Sequence, residues 1–285
     1  MTDICLPTFS KRSKIIDAQT LLEKISARRH PCIVGEGRAP HRHRIVQFLN
    51  DVQVLMYPNI FHDERSLAVV LEETRDILNT EVKLAFVESG MDEAYAANKA
   101  SEFAEHFLEK IPDLLDQLNM DIKAIYDGDP AAKSYKEIIL CYPGYFAIFA
   151  HRVAHFFYDW SVPMISRMIS EFAHQRTGVD IHPGAYIGDY FCIDHGTGIV
   201  IGETAVIGNH VKIYQGVTIG AKSFKKDDDG NPVKGGKRHP NIGNNVVIYA
   251  NATVLGGDTT IGDGSVIGSS TWIIESTEPG SRIYK

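Results

Sequence analysis

The chain has 285 residues, 44% of them hydrophobic and 23% charged, a composition that supports a folded core and excludes a disordered chain. Its 29 basic side chains against 36 acidic ones leave a net charge of −7, so no global field draws it to nucleic acid or to an anionic membrane. Cys5, Cys32, Cys141 and Cys192 lie far apart with no C-x-x-C pair, which argues against a zinc ribbon or a disulfide scaffold and fits a reducing compartment. The N-terminus carries no apolar stretch of signal-peptide length. The most apolar window, Tyr145 to Tyr158, is interrupted by His151, Arg152 and His155 and is too short to span a bilayer. A cytoplasmic protein is expected.

Residues 1–178 read as helix. Ile15, Ile16, Leu21, Leu22 and Ile25 fall on one helical face, and further helical spacing runs across Arg44–Met56, Ser66–Leu78, Ala94–Leu108 and Leu114–Ile125. A last stretch covers Tyr145 to Ala173 with Pro163 as a break, and Pro112 and Pro143 suit a first helical turn, where a missing N–H costs nothing. Strand alternation is almost absent, so six to eight helices are expected before Gly178.

From residue 179 to 285 the period changes. An aliphatic residue recurs at Ile181, Ile187 and Ile193, then Ile201, Ile207, Ile213 and Ile219. The series resumes at Ile242, Ile248 and Val254 and ends with Ile261, Ile267 and Ile273. Small or β-branched residues such as Ala185, Ala205, Val211 and Val217 stand four places after the leads. A hexapeptide repeat specifies a parallel β-helix, because one hexad cannot bury its lead residue and the rungs must stack. The expected fold is α+β: an all-helical N-terminal region followed by a β-helix.

The interruptions carry more information than the repeats. Spacing slips from Ile193 to Ile201 around Asp194-His195-Gly196-Thr197-Gly198, and again from Ile219 to Ile242, which leaves a long loop at 220–241. An even solenoid needs neither break, and loops leaving a rigid scaffold tend to carry function.

The strings D-I-H-P (Asp180–Pro183), D-H-G-T-G-I-V-I-G-E-T-A (Asp194–Ala205) and R-H-P (Arg238–Pro240), with D-P-A (Asp129–Ala131) upstream, resemble serine O-acetyltransferase. The resemblance implies a left-handed β-helix and transfer of acetyl from acetyl-CoA, the co-substrate, to the hydroxyl of L-serine in cysteine biosynthesis, with no metal. It also implies homotrimers or dimers of trimers with active sites between subunits, and L-cysteine as a feedback inhibitor.

Serine's hydroxyl needs a base of pKa near 6–7. The resemblance matches His195 to that general base and Asp180 to the carboxylate that orients it; the two are close to one coil apart, about 18 residues in a three-hexad coil. By the same carry-over, Asp129 and Asp194 hold the substrate ammonium, Arg238 takes its carboxylate in a bidentate pair, and His239 adds a donor. Small residues Ala221, Ala250 and Ser269 would let the pantetheine arm of CoA approach. Lys222, Lys225, Lys226, Lys234, Lys237 and Arg238 make the loop locally positive, suited to CoA phosphates. Cys192, at an outward position of its hexad, is the alternative acyl carrier, and direct attack is preferred over it. His41, His43, His106, His151, His155 and His174 read as surface or satisfied buried groups.

Three rival readings remain at this point. One is a hexapeptide O-acetyltransferase acting on a sugar or homoserine. Another is a γ-type carbonic anhydrase with zinc on His195, His210 and His239. The third is a non-catalytic β-helix that binds a protein. The chain also lacks the long tail ending in isoleucine by which many members of the resembled family dock into cysteine synthase, so no such complex is expected.

Overall fold

The structure, a computed structural model, describes residues 17–29, 38–223, 226–231, 233 and 235–284. It divides into two units, Met1–Arg38 and Ala39–Lys285. In the first, helix α1 (Ala18–Ser26) starts at Asp17, whose carboxylate accepts the Thr20 N–H at 3.0 Å, and it carries Leu21, Leu22 and Ile25 exposed. Ile15, Ile16, Lys225 and Lys234 lie outside the described residues.

The second unit begins with α2 (Arg42–Met56), α3 (Leu67–Glu88), α4 (Glu93–Gly128), α5 (Tyr135–Cys141), α6 (Pro143–Asp159) and α7 (Ile165–Thr177). Phe48, Phe103, Phe107 and Phe157 interlock at their centre, with ring centroids 4.6–6.3 Å apart. Pro143 opens α6 as expected, but Pro112 does not open a helix: it lies inside the 36-residue α4. An interior proline costs about 3 kcal/mol. Burial of Phe103, Phe107, Leu114, Leu118 and Ile122 along one continuous helix outweighs that cost, so two expected helices are one.

Helix α7 ends at Gly178 in the left-handed conformation (φ 71°), and the solenoid starts two residues later. Its strands form the three sides of a left-handed parallel β-helix. Sheet A stacks β1 (Asp180–Ile181), β4 (Val200–Ile201), β7 (Thr218–Gly220), β10 (Thr253–Leu255) and β13 (Trp272–Ile273). Sheet B stacks β2 (Tyr186–Ile187), β5 (Val206–Ile207), β8 (Asn241–Ile242) and β11 (Thr260–Ile261). Sheet C stacks β3 (Cys192–Asp194), β6 (Lys212–Tyr214), β9 (Val247–Ile248), β12 (Val266–Ile267) and β14 (Arg282–Ile283). Lead residues fall in register, Ile181 on Ile201 on Ile219 on Val254 on Ile273, and all are buried. Strand β14 lies beyond the last lead read from the sequence.

One buried ion pair joins helices to solenoid. Arg152 of α6 meets Asp121 of α4 through Nε–Oδ2 (2.6 Å) and Nη2–Oδ1 (2.9 Å), and donates to the Ile187 and Gly188 carbonyls at 3.1 and 2.9 Å. The Phe191 N–H closes the set on Asp121 Oδ1 at 2.9 Å. Helix α4 therefore lies across the first coil and covers Cys192, which is 4% exposed although its hexad position points outward. His151 is also corrected: it is buried, and its Nδ1 has no partner among the described residues.

Candidate active site

The corner joining sheet C to sheet A is regular above the first coil. Gly216, Asn251 and Ser270 stack there, each with φ between 56° and 71°. The first coil has two residues too many for that corner. His195 (φ 58°) and Gly196 (φ 93°) loop out before Thr197 rejoins the stack, where its carbonyl accepts the Gly216 N–H at 3.0 Å. The bulge is closed by the Gly196 N–H on the Asp194 carbonyl at 2.7 Å and the Ile199 N–H on the Gly196 carbonyl at 3.1 Å. A left-handed non-glycine costs on the order of 1 kcal/mol, and here the conformation carries the imidazole outward, 73% exposed.

Two carboxylates flank it. Asp194 ends β3 with Oδ1 3.8 Å from His195 Nε2, while its Oδ2 takes the Lys212 ammonium at 2.9 Å. Asp129 stands where α4 stops; its N–H donates to the Ile125 carbonyl at 2.9 Å. Its Oδ1 accepts the Ala131 N–H at 2.8 Å and its Oδ2 the Tyr142 hydroxyl at 2.7 Å. The Tyr142 hydroxyl first, then the Ala131 amide, hold the Asp129 carboxyl below the usual carboxylate range, with weaker pulls from Lys212 and His195. The same bond to Asp129 pushes the Tyr142 phenol up to about 12.

The corner from sheet A to sheet B holds a second cluster. Arg238 donates to Glu203, which also accepts the Tyr158 hydroxyl of α6 at 3.0 Å. Burial works against the Glu203 carboxylate, but these two donors hold it below its ordinary value. Beside them His239 is buried. Its Nδ1 accepts the Thr204 N–H at 3.0 Å, which leaves the ring proton on Nε2. Burial, helped by the Arg238 charge, lowers the imidazole to about 4. The ring fills the space beside Gly202, where a Cβ would stand 2.1 Å from its Cδ2 and Nε2.

His195, Asp194 and Asp129 are thus brought together on one corner and Arg238 and His239 on another, with sheet A between. Asp180 lies on that intervening sheet at the start of β1, and no side-chain hydrogen bond or ion pair joins it to His195 among the described residues. Ala221 follows β7 at the root of the long loop. Ala250 and Ser269 stand on successive coils of the sheet C to sheet A corner, where the Ala250 carbonyl accepts the Ser270 N–H at 2.9 Å. The loop and the next coil enclose a cleft of about 330 Å³ lined by Lys222, Lys237, Arg238, Gly256, Gly257 and Ile274 among others. His195, His210 and His239 occupy three different corners of the prism. Lys212, Tyr142, Glu203 and Tyr158 escaped the sequence reading. Of these only Glu203 left a trace there, as the acidic residue of the Asp194–Ala205 string.

The chain is similar to known proteins along most of its length. A family model described as "Serine acetyltransferase, N-terminal" matches residues 63–150. The chain is 44% identical over 259 residues to the plasmid serine acetyltransferase of Synechococcus elongatus, covering 86% of this chain and 81% of that protein. It is 45% identical over 166 residues to the serine acetyltransferase of Bacillus subtilis, 58% of this chain and 72% of that one. Among solved structures, Entamoeba histolytica serine acetyltransferase 1 in complex with L-cysteine superposes with a TM-score of 0.74 at 32% identity, over 93% of this chain and 95% of that one. Neisseria gonorrhoeae serine acetyltransferase in complex with serine gives a TM-score of 0.57 at 28% identity, over 84% and 95%. No helix among the described residues is long and apolar enough to cross a membrane.

Proposed function

The chain belongs to the serine acetyltransferase family, whose acyltransferase reaction serves cysteine biosynthesis, and on that premise we propose which of its residues carry the O-acetylation of L-serine. The observation that carries the assignment is His195, lifted off the prism by a two-residue insertion with the Asp194 and Asp129 carboxylates beside it. Serine's ammonium sits against Asp129 and Asp194, which leaves its hydroxyl facing His195. As the hydroxyl oxygen attacks the thioester carbonyl of acetyl-CoA, its proton passes to the imidazole. When the tetrahedral centre collapses, the C–S bond breaks and the imidazolium returns that proton to the leaving thiolate, giving O-acetylserine and CoA.

Asp180 is assigned the imidazolium-stabilising role. Cys192 takes no part: burial pushes its thiol up to about 12, so at neutral pH it is protonated, a poor nucleophile and covered by α4. Arg238 and His239 receive the substrate carboxylate, Arg238 held in place by Glu203 and Tyr158. Because one protomer carries these groups and His195 on different corners, the site is completed when the sheet C to sheet A corner of one protomer meets the sheet A to sheet B corner of the next, as in a homotrimer. The cleft under the loop, with Lys222, Lys237 and Arg238, suits the CoA phosphates, and Ala221, Ala250 and Ser269 give the pantetheine arm room. L-cysteine carries the same ammonium and carboxylate as serine and competes for this site.

The test is thiol release from acetyl-CoA with serine as acceptor. His195→Ala is expected to lower kcat at least ~10²-fold, the scale of a general base. A variant that turns over at the native rate ends the assignment.

A further inference from the structure

Lys212 occupies an outward position on β6, opposite Cys192 of β3 and outside the motif strings. Three groups surround its ammonium. Asp194 Oδ2 lies at 2.9 Å, the carbonyl of Gly128, the last residue of α4, at 2.7 Å, and the Tyr214 ring centroid at 4.5 Å. The lysine side chain is 18% exposed and the Asp194 side chain 17%, so water screens this pair poorly. Burial alone would lower the lysine; the Tyr214 side chain and the Asp194 carboxylate reverse that and raise it, so it stays charged.

This lysine spans the two pieces of chain that meet at the ammonium pocket. One end of the contact is the carboxylate adjoining His195. The other is the carbonyl end of the helix whose next residue is Asp129, where the helix dipole also favours a cation. A methyl group at Gly128 would stand 3.5 Å from Lys212 Nζ and 3.3 Å from Cys192 Sγ, so helix and strand are already in close contact.

Resting on the family reaction and on the His195 assignment above, we propose that Lys212 is a positioning residue for serine transfer. It ties down one oxygen of Asp194 so that the other faces His195, it fixes the end of α4 that presents Asp129, and it offsets one of the negative charges around the base. Asp129, Asp194 and the assigned Asp180 alone would give the site three negative charges; with Lys212 it carries two. The groups around His195 are Asp194 from β3, Asp129 from the end of α4 with the Tyr142 hydroxyl bonded to it, and Lys212 from β6, to which the assignment above adds Asp180 on β1. Lys212 is the one cation in that set.

Loss of a positive charge next to a base makes its protonated form easier to keep. Lys212→Met is therefore expected to move the acid limb of the kcat/KM profile for serine to higher pH by roughly half a unit or more. KM for serine rises several-fold while saturating kcat at alkaline pH changes less than twofold. Lys212→Arg, which keeps the charge, restores the native limb. Lys212→Gln reads the same limb should the methionine variant fail to fold. An acid limb unmoved in a folded, active Lys212→Met or Lys212→Gln enzyme overturns the proposal and leaves the lysine a structural brace. A native enzyme that releases no thiol with serine, or a His195→Ala enzyme that works normally, instead overturns the reading beneath it.

Discussion

The buried pair between Arg152 and Asp121 sets the position of everything the helical region brings to the site, and replacing Arg152 by Met measures it. The arginine side chain is 4% exposed and the aspartate side chain fully buried. The substitution strands the Asp121 carboxylate, expected at about 3–5 kcal/mol for half of a buried pair, and leaves the Ile187 and Gly188 carbonyls without their donor at about 1 kcal/mol or less each. About 3–7 kcal/mol is thus at stake in a fold whose total stability is ordinarily about 5–15 kcal/mol. Burial already pushes the Asp121 carboxyl above its ordinary value, with Arg152 opposing, and without Arg152 it rises further. A carboxyl raised in the folded state contributes stability at low pH that is lost as pH climbs, so the deficit should be smaller at pH 5 than at pH 8. Urea unfolding at both values reads this directly, and the double replacement Asp121→Leu/Arg152→Met should recover most of the loss. A single variant that loses under ~1.5 kcal/mol, or a double variant no better than the single, refutes the reasoning.

Two further outcomes are expected at the Arg238 corner. His239 is held near 4, against 6.5 in the unfolded chain, so the unfolded state takes up a proton first as the solution is acidified. Stability is then intact above pH 6.5 and falls as the pH drops toward 4, by about 2 kcal/mol once the full shift is discounted for solvent around the loop. His239→Asn should flatten that part of the melting-temperature profile, leaving the share due to His182 and His151, which burial also lowers; an unchanged slope would count against the assignment. Gly202→Ala places a methyl group where the His239 ring lies. It should cost about 1–3 kcal/mol by overpacking and raise KM for serine, whereas a native melting curve with native KM would show that the ring has somewhere else to go.

The repeat was legible because every coil offers its lead residue the same environment, so a period of six in the chain becomes a column in space. The same regularity made the breaks legible: the slip from Ile193 to Ile201 is the bulge that carries His195, and the slip from Ile219 to Ile242 is the loop that carries Arg238 and His239. What escaped depends on contacts between distant segments. Lys212 reaches the Gly128 carbonyl across 84 positions of sequence, and Tyr158 reaches Glu203 across 45. Hexad position alone marks Cys192 as outward, and it says nothing of the helix that lies over it. Pro112 by local preference suits a first helical turn, and tertiary burial along α4 overrides that preference.

Chemistry settles at these breaks for a physical reason. In an unbroken coil the lead side chains point inward and the corner residues stack in a left-handed column, with backbone groups bonded to the coils above and below. Outward strand positions are held in rows by the same ladder. Inserted residues free a side chain from those rows, and the first coil places His195 on its insertion. Isolated there, an imidazole would face open water on a flat side. The end of α4 is what supplies the pocket wall, because the Arg152–Asp121 pair fixes α4 against Phe191 and so delivers Asp129 and the Gly128 carbonyl two turns later to the inserted corner. Solenoid and helices therefore contribute complementary parts: the break provides a base with freedom to point outward, and the docked helix end provides the fixed charges that hold an amino acid against it.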